Sequence, residues 1–385
     1  GFDDIHTIGV VGAGLMGAGI AQVLAVSGYR VLLTDQQPEA LSRARAEIVA
    51  RIDRMVEKGT LCHAEATRAR DHFHCVTDLA AMAEAQVVIE AVVERLDVKR
   101  ALFAQLEEIV APDAILATNT SSLSIAAIGR DMARRERLCG LHFFNPVPLM
   151  KLVEVIPGPF TDHAVTALAQ QLVEQMGKVS VLVKDGPGFL VNLGGRAFYT
   201  EALHIEAEGV ASTGQIDRIM VAAGFRMGPF ALMDLTGIDT NFPVTTFIHK
   251  GYQYDPRLKS APLHERMVEA GRFGRKSGQG FHDYRTEVPP APCPIAAPRH
   301  RLAVVLPEPH PAFITLAAHG LVACSDADAP ILVAPWGEDA TTIASRLGAD
   351  PGRVVAMDAT ALEHNLVTLM APPGPSHALD TVAAF

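Results

Sequence analysis

The chain has 385 residues, 49% of them apolar and 20% charged, and its formal net charge is −10. A chain of this length predicts more than one domain, and the composition is that of a globular protein rather than a disordered one. Binding to duplex nucleic acid needs clustered Lys and Arg, so the acidic balance argues against nucleic acid as a partner.

Cysteine spacing and hydropathy bear on the cellular compartment and on membrane association. The five cysteines are scattered and odd in number, with no C-x-x-C pair, which predicts reduced thiols in a cytoplasmic compartment. No apolar run approaches the roughly 18 residues that a membrane-spanning helix needs. We therefore expect a cytoplasmic protein that neither binds a metal nor enters a membrane.

Residues 5 to about 183 alternate short apolar strands with amphipathic helices. This alternation predicts an α/β domain, a mostly parallel, doubly wound sheet with helices on both faces. The predicted strands are Ile8–Val11, Val31–Asp35, Val87–Ala91, Ile115–Thr118, Leu138–Phe143, Leu152–Ile156 and Val179–Val183. The predicted helices include Pro38–Lys58, Val98–Ile109 and Ala164–Met176.

The rest of the chain divides into two further modules and a linker. From Pro187 to about Val268 the strand pattern nearly vanishes, and Asn192–Glu208 and Thr213–Ala223 have helical patterns. Proline-rich residues 288–298 predict a stiff linker. Strand patterns then return at Leu302–Leu306, Ile331–Ala334, Val354–Met357 and Leu366–Met370. We predict domains at 1–184, 185–287 and 299–385, the last a small α/β module whose simplest role is a spacer or assembly module.

The first strand is followed by a glycine-rich loop, Gly12-Ala13-Gly14-Leu15-Met16-Gly17, that opens a helix. In a dinucleotide-binding loop the first glycine permits the tight turn, the second lets the backbone approach a pyrophosphate, and the third allows close packing of helix and strand. Asp35 ends the second strand, where a carboxylate pairs with ribose hydroxyls and repels a 2′-phosphate. No Arg adjoins it, so the loop predicts NAD rather than NADP.

A histidine and a glutamate on successive strands predict proton transfer. His142 lies on the strand before a loop with two prolines, and Glu154 lies twelve residues later on the next strand. A carboxylate that accepts the Nδ1–H of a histidine fixes its tautomer and leaves Nε2 free to take a proton. With a dinucleotide loop upstream, this pair predicts that the proton leaves an alcohol as hydride passes to a nicotinamide.

Three further positions are candidates for ligand contacts. Ser121 follows the strand Ile115–Thr118, where doubly wound sheets place binding loops; it is either a substrate contact or a helix cap, although Ser122 is the better cap by position. Asn192, at the entry to the helical domain, has an amide that could donate to a carbonyl oxygen. Glu94 and Lys99 follow the strand ending near Ala91 and, without further context, are an exposed pair.

Several motifs together resemble the 3-hydroxyacyl-CoA dehydrogenases of fatty-acid oxidation. They occur in order between residues 8 and 284, about three-quarters of the chain. The matching motifs are residues 12–21, Ile89-Glu90-Ala91-Val92 with Glu94 and Lys99, residues 117–123, residues 140–155, Pro187-Gly188-Phe189-Leu190-Val191-Asn192, Met227-Gly228-Pro229-Phe230 and residues 274–281.

The resemblance implies a Rossmann-type first domain, a second domain like that of 6-phosphogluconate dehydrogenase, and a homodimer formed through the helical domain. It also implies His142 as general base, Glu154 as its orienting partner, and Ser121 and Asn192 as contacts of the reacting oxygens. The residues implied to surround NAD are Gly12 to Gly17, Asp35, Glu94, Lys99, Asn145 and Lys276. Lys58, assisted by Arg51, is implied to meet the coenzyme A phosphates.

The sequence departs from the family pattern in two places. Leu193-Gly194-Gly195 follows Asn192 where typical members have Arg, and residues beyond about 298 resemble the linker module of longer bacterial members. Three alternatives remain. The chain could oxidise a free sugar acid such as L-gulonate, although that class carries a shorter His-Pro-rich motif. It could be an idle structural protein, against which the intact His142, Glu154 and Asn192 argue. It could also be an enzyme subunit that passes ketoacyl-CoA to a thiolase or hydratase.

Overall fold

The computed structural model describes residues 4–285, 301–360, 362 and 367–385. By internal packing the chain divides into two compact units. The first comprises residues 1–198 and 243–259, and the second comprises residues 199–242 and 260–385. The predicted linker 288–298 lies outside the described residues. The predicted domain boundaries at 184, 287 and 298 stay a prediction.

The first unit is built on an eight-stranded sheet with the order β3-β2-β1-β4-β5-β6-β7-β8. Its strands are β1 (Thr7–Val11), β2 (Arg30–Thr34), β3 (Phe73–Val76), β4 (Val87–Glu90), β5 (Ile115–Thr118), β6 (Leu138–Phe143), β7 (Leu152–Pro157) and β8 (Val179–Leu182). The neighbours from β3 to β6 are parallel, whereas β7 runs antiparallel to β6 and β8 parallel to β7. The predicted mostly parallel sheet is confirmed, and the prediction missed β3.

Helices cover both faces of this sheet, as the strand pattern predicts. They are α1 (Leu15–Val26), α2 (Pro38–Glu57), α3 (His63–His72), α4 (Leu96–Ile109), α5 (Ile125–Ile128) and α6 (His163–Gln175). Successive strand residues point to opposite faces, so Leu33 packs in the core with Ile20 of α1, while Leu32 packs in the other core with Phe103 of α4. Strands buried on both faces explain the continuous apolar runs of the sequence.

The middle of the chain is helical, as predicted. Its helices are α7 (Val191–Ala207), α8 (Thr213–Ala222), α9 (Pro229–Thr236), α10 (Ile238–Gly251) and α11 (Pro262–Glu269). Helices α7 and α10 contribute residues to both compact units. Proline at the first position of α9 and of α11 suits a helix start, since its missing N–H would have no partner there.

The carboxyl-terminal residues form the expected small α/β module. Its elements are β9 (Leu302–Val304), α12 (Pro311–Ala317), β10 (Leu321–Ala323), β11 (Ile331–Val333), α13 (Ala340–Leu347), β12 (Val354–Asp358), β13 (Thr368–Met370) and α14 (His377–Ala383). β9 pairs with β10, and β12 lies between β11 and β13. The prediction missed β10, a strand of three residues. The predicted strand Leu366–Met370 includes β13, and its first residue, Leu366, lies outside the described residues.

A buried carboxylate explains the glycine-rich motif at 274–281 within the second unit. Asp234 is 1% exposed and accepts hydrogen bonds from Phe281 N, His282 N and the Tyr284 hydroxyl at 2.9–3.0 Å. A Cβ at Gly274 or Gly280 would lie 2.5 Å or less from atoms of Asp234. The motif is therefore needed to wrap the chain around this side chain.

Asp234→Ala should destabilise the second unit by about 3 kcal/mol, because it leaves two backbone N–H groups and one hydroxyl without their acceptor. The midpoint of chemical denaturation measures the change. Asp283→Ala is the control, since in the same segment it removes only exposed contacts with the side chain and backbone N–H of Arg285. Equal midpoints for the two variants would contradict a supporting role for Asp234.

Candidate functional site

The glycine loop has the close contacts that a dinucleotide-binding turn requires. Gly12 has a φ of +107°, and a Cβ there would lie 2.5 Å from the carbonyl oxygen of Ala91. A Cβ at Gly17 would collide with the carbonyl of Gly12, whereas a Cβ at Gly14 would meet no atom within 4 Å. The first and third glycines are thus fixed by the fold, while Gly14 faces open space. Helix α1 begins here without a side-chain cap, so its first N–H groups can meet phosphates.

Asp35 follows β2 and shapes the loop directly. Its Oδ2 accepts a hydrogen bond from Ala13 N at 2.7 Å, and its Oδ1 accepts one from Gln37 N at 2.9 Å. The side chain is half-buried, and each carboxylate oxygen can accept more than one hydrogen bond. The loop and this carboxylate therefore fit a dinucleotide, with Asp35 able to meet ribose hydroxyls. Leu15 and Met16 form the first turn of α1 beside it.

The histidine and the glutamate form a buried pair. They are direct partners in the antiparallel register of β6 and β7. The Nδ1 of His142 lies 2.6 Å from the Oε2 of Glu154, and the two residues are 3% and 0% exposed. Among the described residues none is bonded to Nε2 of His142. The contact expected from the sequence is thus present. A carboxylate can only accept, so Nδ1 is the nitrogen that donates to Glu154, and in a neutral imidazole of this tautomer Nε2 carries the lone pair.

Glu154 also fixes the start of α7. Its other oxygen, Oε1, accepts hydrogen bonds from Leu190 N at 2.9 Å and Val191 N at 2.8 Å. Asn192, whose amide is expected to contact the substrate, comes directly after Val191. Its backbone is therefore held next to a residue that is bonded to Glu154. The ring of Phe189 packs 5.7 Å from the imidazole, centroid to centroid. The sequence reasoning missed Phe189, for which a φ of +50° marks a constrained position.

Phe144 packs against the imidazole, and Asn119 holds the backbone of the residue that follows His142. The Phe144 ring lies 4.5 Å from it, and the Oδ1 of Asn119 accepts a hydrogen bond from Phe143 N at 2.9 Å. Phe144 and Asn119 lie within motifs that resemble the family, but no role was predicted for either residue from the sequence. Asn145, expected near NAD, is exposed just beyond the strand end. Its cofactor contact stays a prediction.

Glu94 holds the turn that presents Ser121. Its Oε1 accepts hydrogen bonds from the Thr120 hydroxyl at 2.6 Å, Ser121 N at 2.8 Å, and both N and Oγ of Ser122 at 3.0 and 2.9 Å. None of the described residues is bonded to the Ser121 hydroxyl, which leaves it available to a ligand. The predicted cap at Ser122 is wrong: α5 begins later, and Ser124 caps it.

The charge state of Glu94 follows from these contacts. Burial alone would raise the pKa of this carboxyl, but the Lys99 ammonium and the hydrogen bonds from Thr120, Ser121 and Ser122 outweigh burial and lower the pKa. Glu94 is therefore a carboxylate at neutral pH, and its negative charge holds the turn.

Lys99 does not form the exposed pair with Glu94 that the bare sequence suggests. Its side chain is wholly buried, and its Nζ lies 2.6 Å from Glu90 Oε1 and 3.3 Å from Glu94 Oε2. Glu90 is also wholly buried and accepts hydrogen bonds from Val92 N and the Thr118 hydroxyl, each at 2.7 Å. The expected contact of Lys99 with the cofactor stays a prediction. Sequence reasoning missed Glu90, although a charged residue ending an apolar strand was a signal.

The other residues expected to contact ligands are Arg51, Lys58 and Lys276, which belong to other segments of the chain. Arg51 on α2 pairs with Glu47 at 2.9 Å, and Lys58 ends the same helix, exposed and without an ion pair among the described residues. Lys276 belongs to the second unit, where its Nζ lies 2.6 Å from Asp239 Oδ2. The expected contacts of Arg51 and Lys58 with coenzyme A, and of Lys276 with NAD, stay predictions.

The described residues contain neither a metal-binding cluster nor a membrane-spanning helix. Within residues 4–285, 301–360, 362 and 367–385, no group of three or more His, Cys, Asp or Glu side chains could hold a metal ion. Over the same ranges, no helix combines the length and the apolarity that crossing a bilayer requires.

A doubly wound sheet with a glycine loop after β1, a carboxylate just after β2 and a buried histidine–glutamate pair on β6 and β7 is the arrangement of a dinucleotide-dependent dehydrogenase. Models of known protein families narrow this class. Residues 7–186 match the NAD binding domain of 3-hydroxyacyl-CoA dehydrogenase, and residues 188–284 match the C-terminal domain of the same enzyme. The chain belongs to the 3-hydroxyacyl-CoA dehydrogenase family, and NAD is the cofactor of its first domain.

Individual relatives agree with the family. The chain is 44% identical over 285 residues to a 3-hydroxyadipyl-CoA dehydrogenase of Escherichia coli, an alignment that covers 74% of this chain and 60% of that protein. It is 42% identical to a probable 3-hydroxybutyryl-CoA dehydrogenase of Deinococcus radiodurans, covering 72% of this chain and 99% of the relative. This chain thus spans only about 60% of the E. coli relative's length.

A solved structure extends the similarity beyond the two family domains. The crystal structure of an E. coli 3-hydroxybutyryl-CoA dehydrogenase superposes with a TM-score of 0.87 at 38% identity, covering 99% of this chain and 78% of that one. An (S)-3-hydroxybutyryl-CoA dehydrogenase from Ralstonia eutropha gives a TM-score of 0.71 over 73% of this chain and 99% of its own. The first alignment includes the carboxyl-terminal module, so that module has a counterpart in a solved relative.

Glu94→Gln should destabilise the first unit at neutral pH, and the difference from wild type should shrink on acidification. The lowered pKa means that the carboxylate's contribution is present above its ordinary value of 4.5 and is lost as the pH falls through the folded value. Denaturation midpoints at neutral pH and below pH 4.5 measure this. Glu108→Gln, on the exposed face of α4, is the control. A difference that stays constant with pH would show that charge does not hold the turn.

Proposed function

We propose that this protein catalyses NAD-dependent oxidation of (S)-3-hydroxyacyl-CoA to 3-ketoacyl-CoA. The observation that carries the proposal is the buried pair in which Glu154 binds Nδ1 of His142 and leaves Nε2 unbonded. Membership of the family supports the reaction and the acyl-CoA substrate. The pathway that follows from this proposal is fatty-acid or related acyl-CoA breakdown.

The histidine would act as base in oxidation and as acid in the reverse direction. Nε2 of His142 takes the proton of the 3-hydroxyl group as the C3–H bond breaks. Bound NAD supplies the acceptor for the hydride from C3. Glu154 keeps its hydrogen bond to Nδ1 throughout, which holds the ring in one orientation and stabilises the imidazolium that forms.

Two donors would stabilise charge on the reacting oxygens. The Ser121 hydroxyl is presented by the turn that Glu94 holds, and Asn192 follows the backbone that Glu154 holds. In the reverse direction both could donate to the oxygen as negative charge develops, and fixed donors need no rearrangement at that moment. The positions of Ser121 and Asn192 therefore depend on the carboxylates of Glu94 and Glu154, which are in place before a substrate binds.

The cofactor and coenzyme A contacts of the proposal follow the sequence expectations. Residues Gly12 to Gly17 and Asp35 would hold the dinucleotide, with Glu94, Lys99, Asn145 and Lys276 as further contacts. Lys58 and Arg51 would meet the coenzyme A phosphates. A homodimer formed through residues 185–287, a thiolase or hydratase partner, and a cytoplasmic location complete the proposal.

His142→Gln should lower kcat by at least two decades while NADH still binds, because general base catalysis is typically worth about 10²–10⁴-fold. The assay follows NADH oxidation with acetoacetyl-CoA, and cofactor binding is measured by NADH fluorescence. His163→Gln, an exposed histidine at the start of α6, is the control. A near-normal kcat in His142→Gln would remove this residue from the mechanism.

Asp35→Asn should reduce the preference for NAD over NADP by at least about tenfold, since the carboxylate that repels the 2′-phosphate is lost. The ratio of kcat/KM values for the two cofactors measures it, with Gln36→Ala as the neighbouring control. An unchanged ratio would mean that the Asp35 carboxylate does not discriminate between NAD and NADP. Parallel assays with 3-hydroxybutyryl-CoA and 3-hydroxyadipyl-CoA would give the acyl preference.

A further inference from the structure

A buried lysine holds the loop between β6 and β7. Lys178, the residue before β8, is 8% exposed, and its Nζ donates hydrogen bonds to the carbonyl oxygens of Val147 and Met150, each at 2.7 Å. Both carbonyls belong to residues 144–151, called the β6–β7 loop, which begin directly after the strand that carries His142. The proposed mechanism leaves this lysine without a role.

The ammonium of Lys178 is costly to bury. Its hydrogen bonds go to neutral carbonyl oxygens, and no ion pair with a carboxylate of the described residues offsets the loss of hydration, so burial lowers the pKa of this lysine. A buried charge without an opposite partner costs free energy even when it is hydrogen-bonded. An apolar side chain of similar length would avoid that cost. What the ammonium supplies is therefore a fixed position for two carbonyls of the β6–β7 loop.

The backbone of Lys178 is itself fixed by the elements on either side of it. Its N–H donates to the carbonyl oxygen of Val173 in α6 at 3.3 Å, and the N–H of Val179 donates to the carbonyl oxygen of Lys151 at 2.8 Å. The second of these hydrogen bonds joins β8 to the end of the β6–β7 loop. The lysine therefore reaches the loop from a rigid base.

The β6–β7 loop is also packed on α1. Val147 is 2% exposed, and a Cβ added at Gly19 would lie 2.9 Å from the Cβ of Val147, so the loop lies directly on that helix. Within the loop, the carbonyl oxygen of Pro146 accepts hydrogen bonds from the N–H groups of Leu149 and Met150, each at 3.0 Å. Because α1 begins at the glycine loop, the position of the β6–β7 loop is tied to the expected phosphate site.

The residue that this arrangement presents to a ligand is Asn145. It is exposed, and it lies three residues beyond His142 on the same chain segment. Hydride transfer requires the nicotinamide ring to lie close to the histidine that moves the proton. Asn145 is therefore placed for the nicotinamide half of the cofactor, whereas Asp35 is placed for the adenosine half.

We infer that Lys178 is a positioning residue, which fixes the β6–β7 loop so that Asn145 meets the nicotinamide half of bound NAD. The inference rests on the proposed function for the cofactor contact of Asn145, and it adds a lysine for which no role was predicted from the sequence. A loop that is held in its binding conformation loses less freedom when the cofactor binds. Lys178 should therefore raise the affinity for the cofactor without touching it.

A double-mutant cycle in NADH affinity, measured by NADH fluorescence, tests the inference. Lys178→Met keeps most of the side chain but removes the donors, and it should raise the Kd for NADH about tenfold because Asn145 loses its fixed position. Asn145→Ala should also weaken NADH binding, and in that background Lys178→Met should change Kd by less than about twofold. Effects that multiply in the double variant, or a wild-type Kd in either single variant, would overturn the inference.

The matched control is a lysine on the other side of β8. Lys184 is exposed, so Lys184→Met removes the same ammonium without releasing the β6–β7 loop, and its Kd for NADH should equal that of wild type. An equal loss of affinity in Lys184→Met and Lys178→Met would trace the effect to net charge and overturn the inference. If Lys178→Met does not fold, the cycle uses Lys178→Gln, whose side chain is one atom shorter and uncharged, with the same expected coupling to Asn145.

Hydrogen exchange reports on the loop itself. The backbone N–H groups of Leu149 and Met150 should exchange with deuterium faster in Lys178→Met than in wild type, and unchanged protection would overturn the inference. Neither exchange nor NADH binding requires turnover. A wild-type protein that binds NADH but does not reduce acetoacetyl-CoA would refute the proposed function and leave the cycle to decide the inference. Independent effects of Lys178 and Asn145 beside an active wild type would refute the positioning role alone.

Discussion

The rest of the site depends on the hydrogen bonds that the carboxylate of Glu154 accepts. A fully buried carboxylate is costly unless its oxygens are hydrogen-bonded, and here one oxygen binds the imidazole while the other binds two N–H groups at the start of α7. Positive φ angles at Gly188 and Phe189 turn the chain so that these N–H groups can reach it. One side chain thus sets both the orientation of His142 and the start of α7, the helix that carries Asn192.

Other acidic side chains around the sheet also accept hydrogen bonds from the backbone of loops and helix starts. Asp35 accepts hydrogen bonds from the backbone of the glycine loop, Glu94 from the turn of Ser121, and Asp185 from the N–H groups of Ile125 and Ala126 at the start of α5. Charge-assisted bonds of this kind are stronger than bonds between neutral groups. The loops that carry the proposed ligand contacts are therefore fixed by acidic side chains from other elements, which suits a site in which donors must be in place before the substrate arrives.

The sequence predicted what depends on local pattern and missed what depends on distant partners. Apolar periodicity located seven of the strands of the large sheet, and the pair of His142 and Glu154 was predicted because the two residues lie on successive strands joined by a loop. The missed strands β3 and β10 each have only their first residue buried. The burial of Lys99 was also missed, because its partner Glu90 and the Ser121 turn that Glu94 binds come from different elements. Three-dimensional packing alone reveals that kind of contact.

The central claim is that Glu154 holds the neutral imidazole of His142 with its proton on Nδ1 and with Nε2 free. Nitrogen-15 NMR of histidine-labelled protein tests it directly, with the signals of His142 identified by their absence from a His142→Gln sample. The account predicts a protonated Nδ1 and an unprotonated Nε2 in the neutral ring. A neutral ring that carries its proton on Nε2, or that exchanges between the two forms as a free imidazole does, would contradict it.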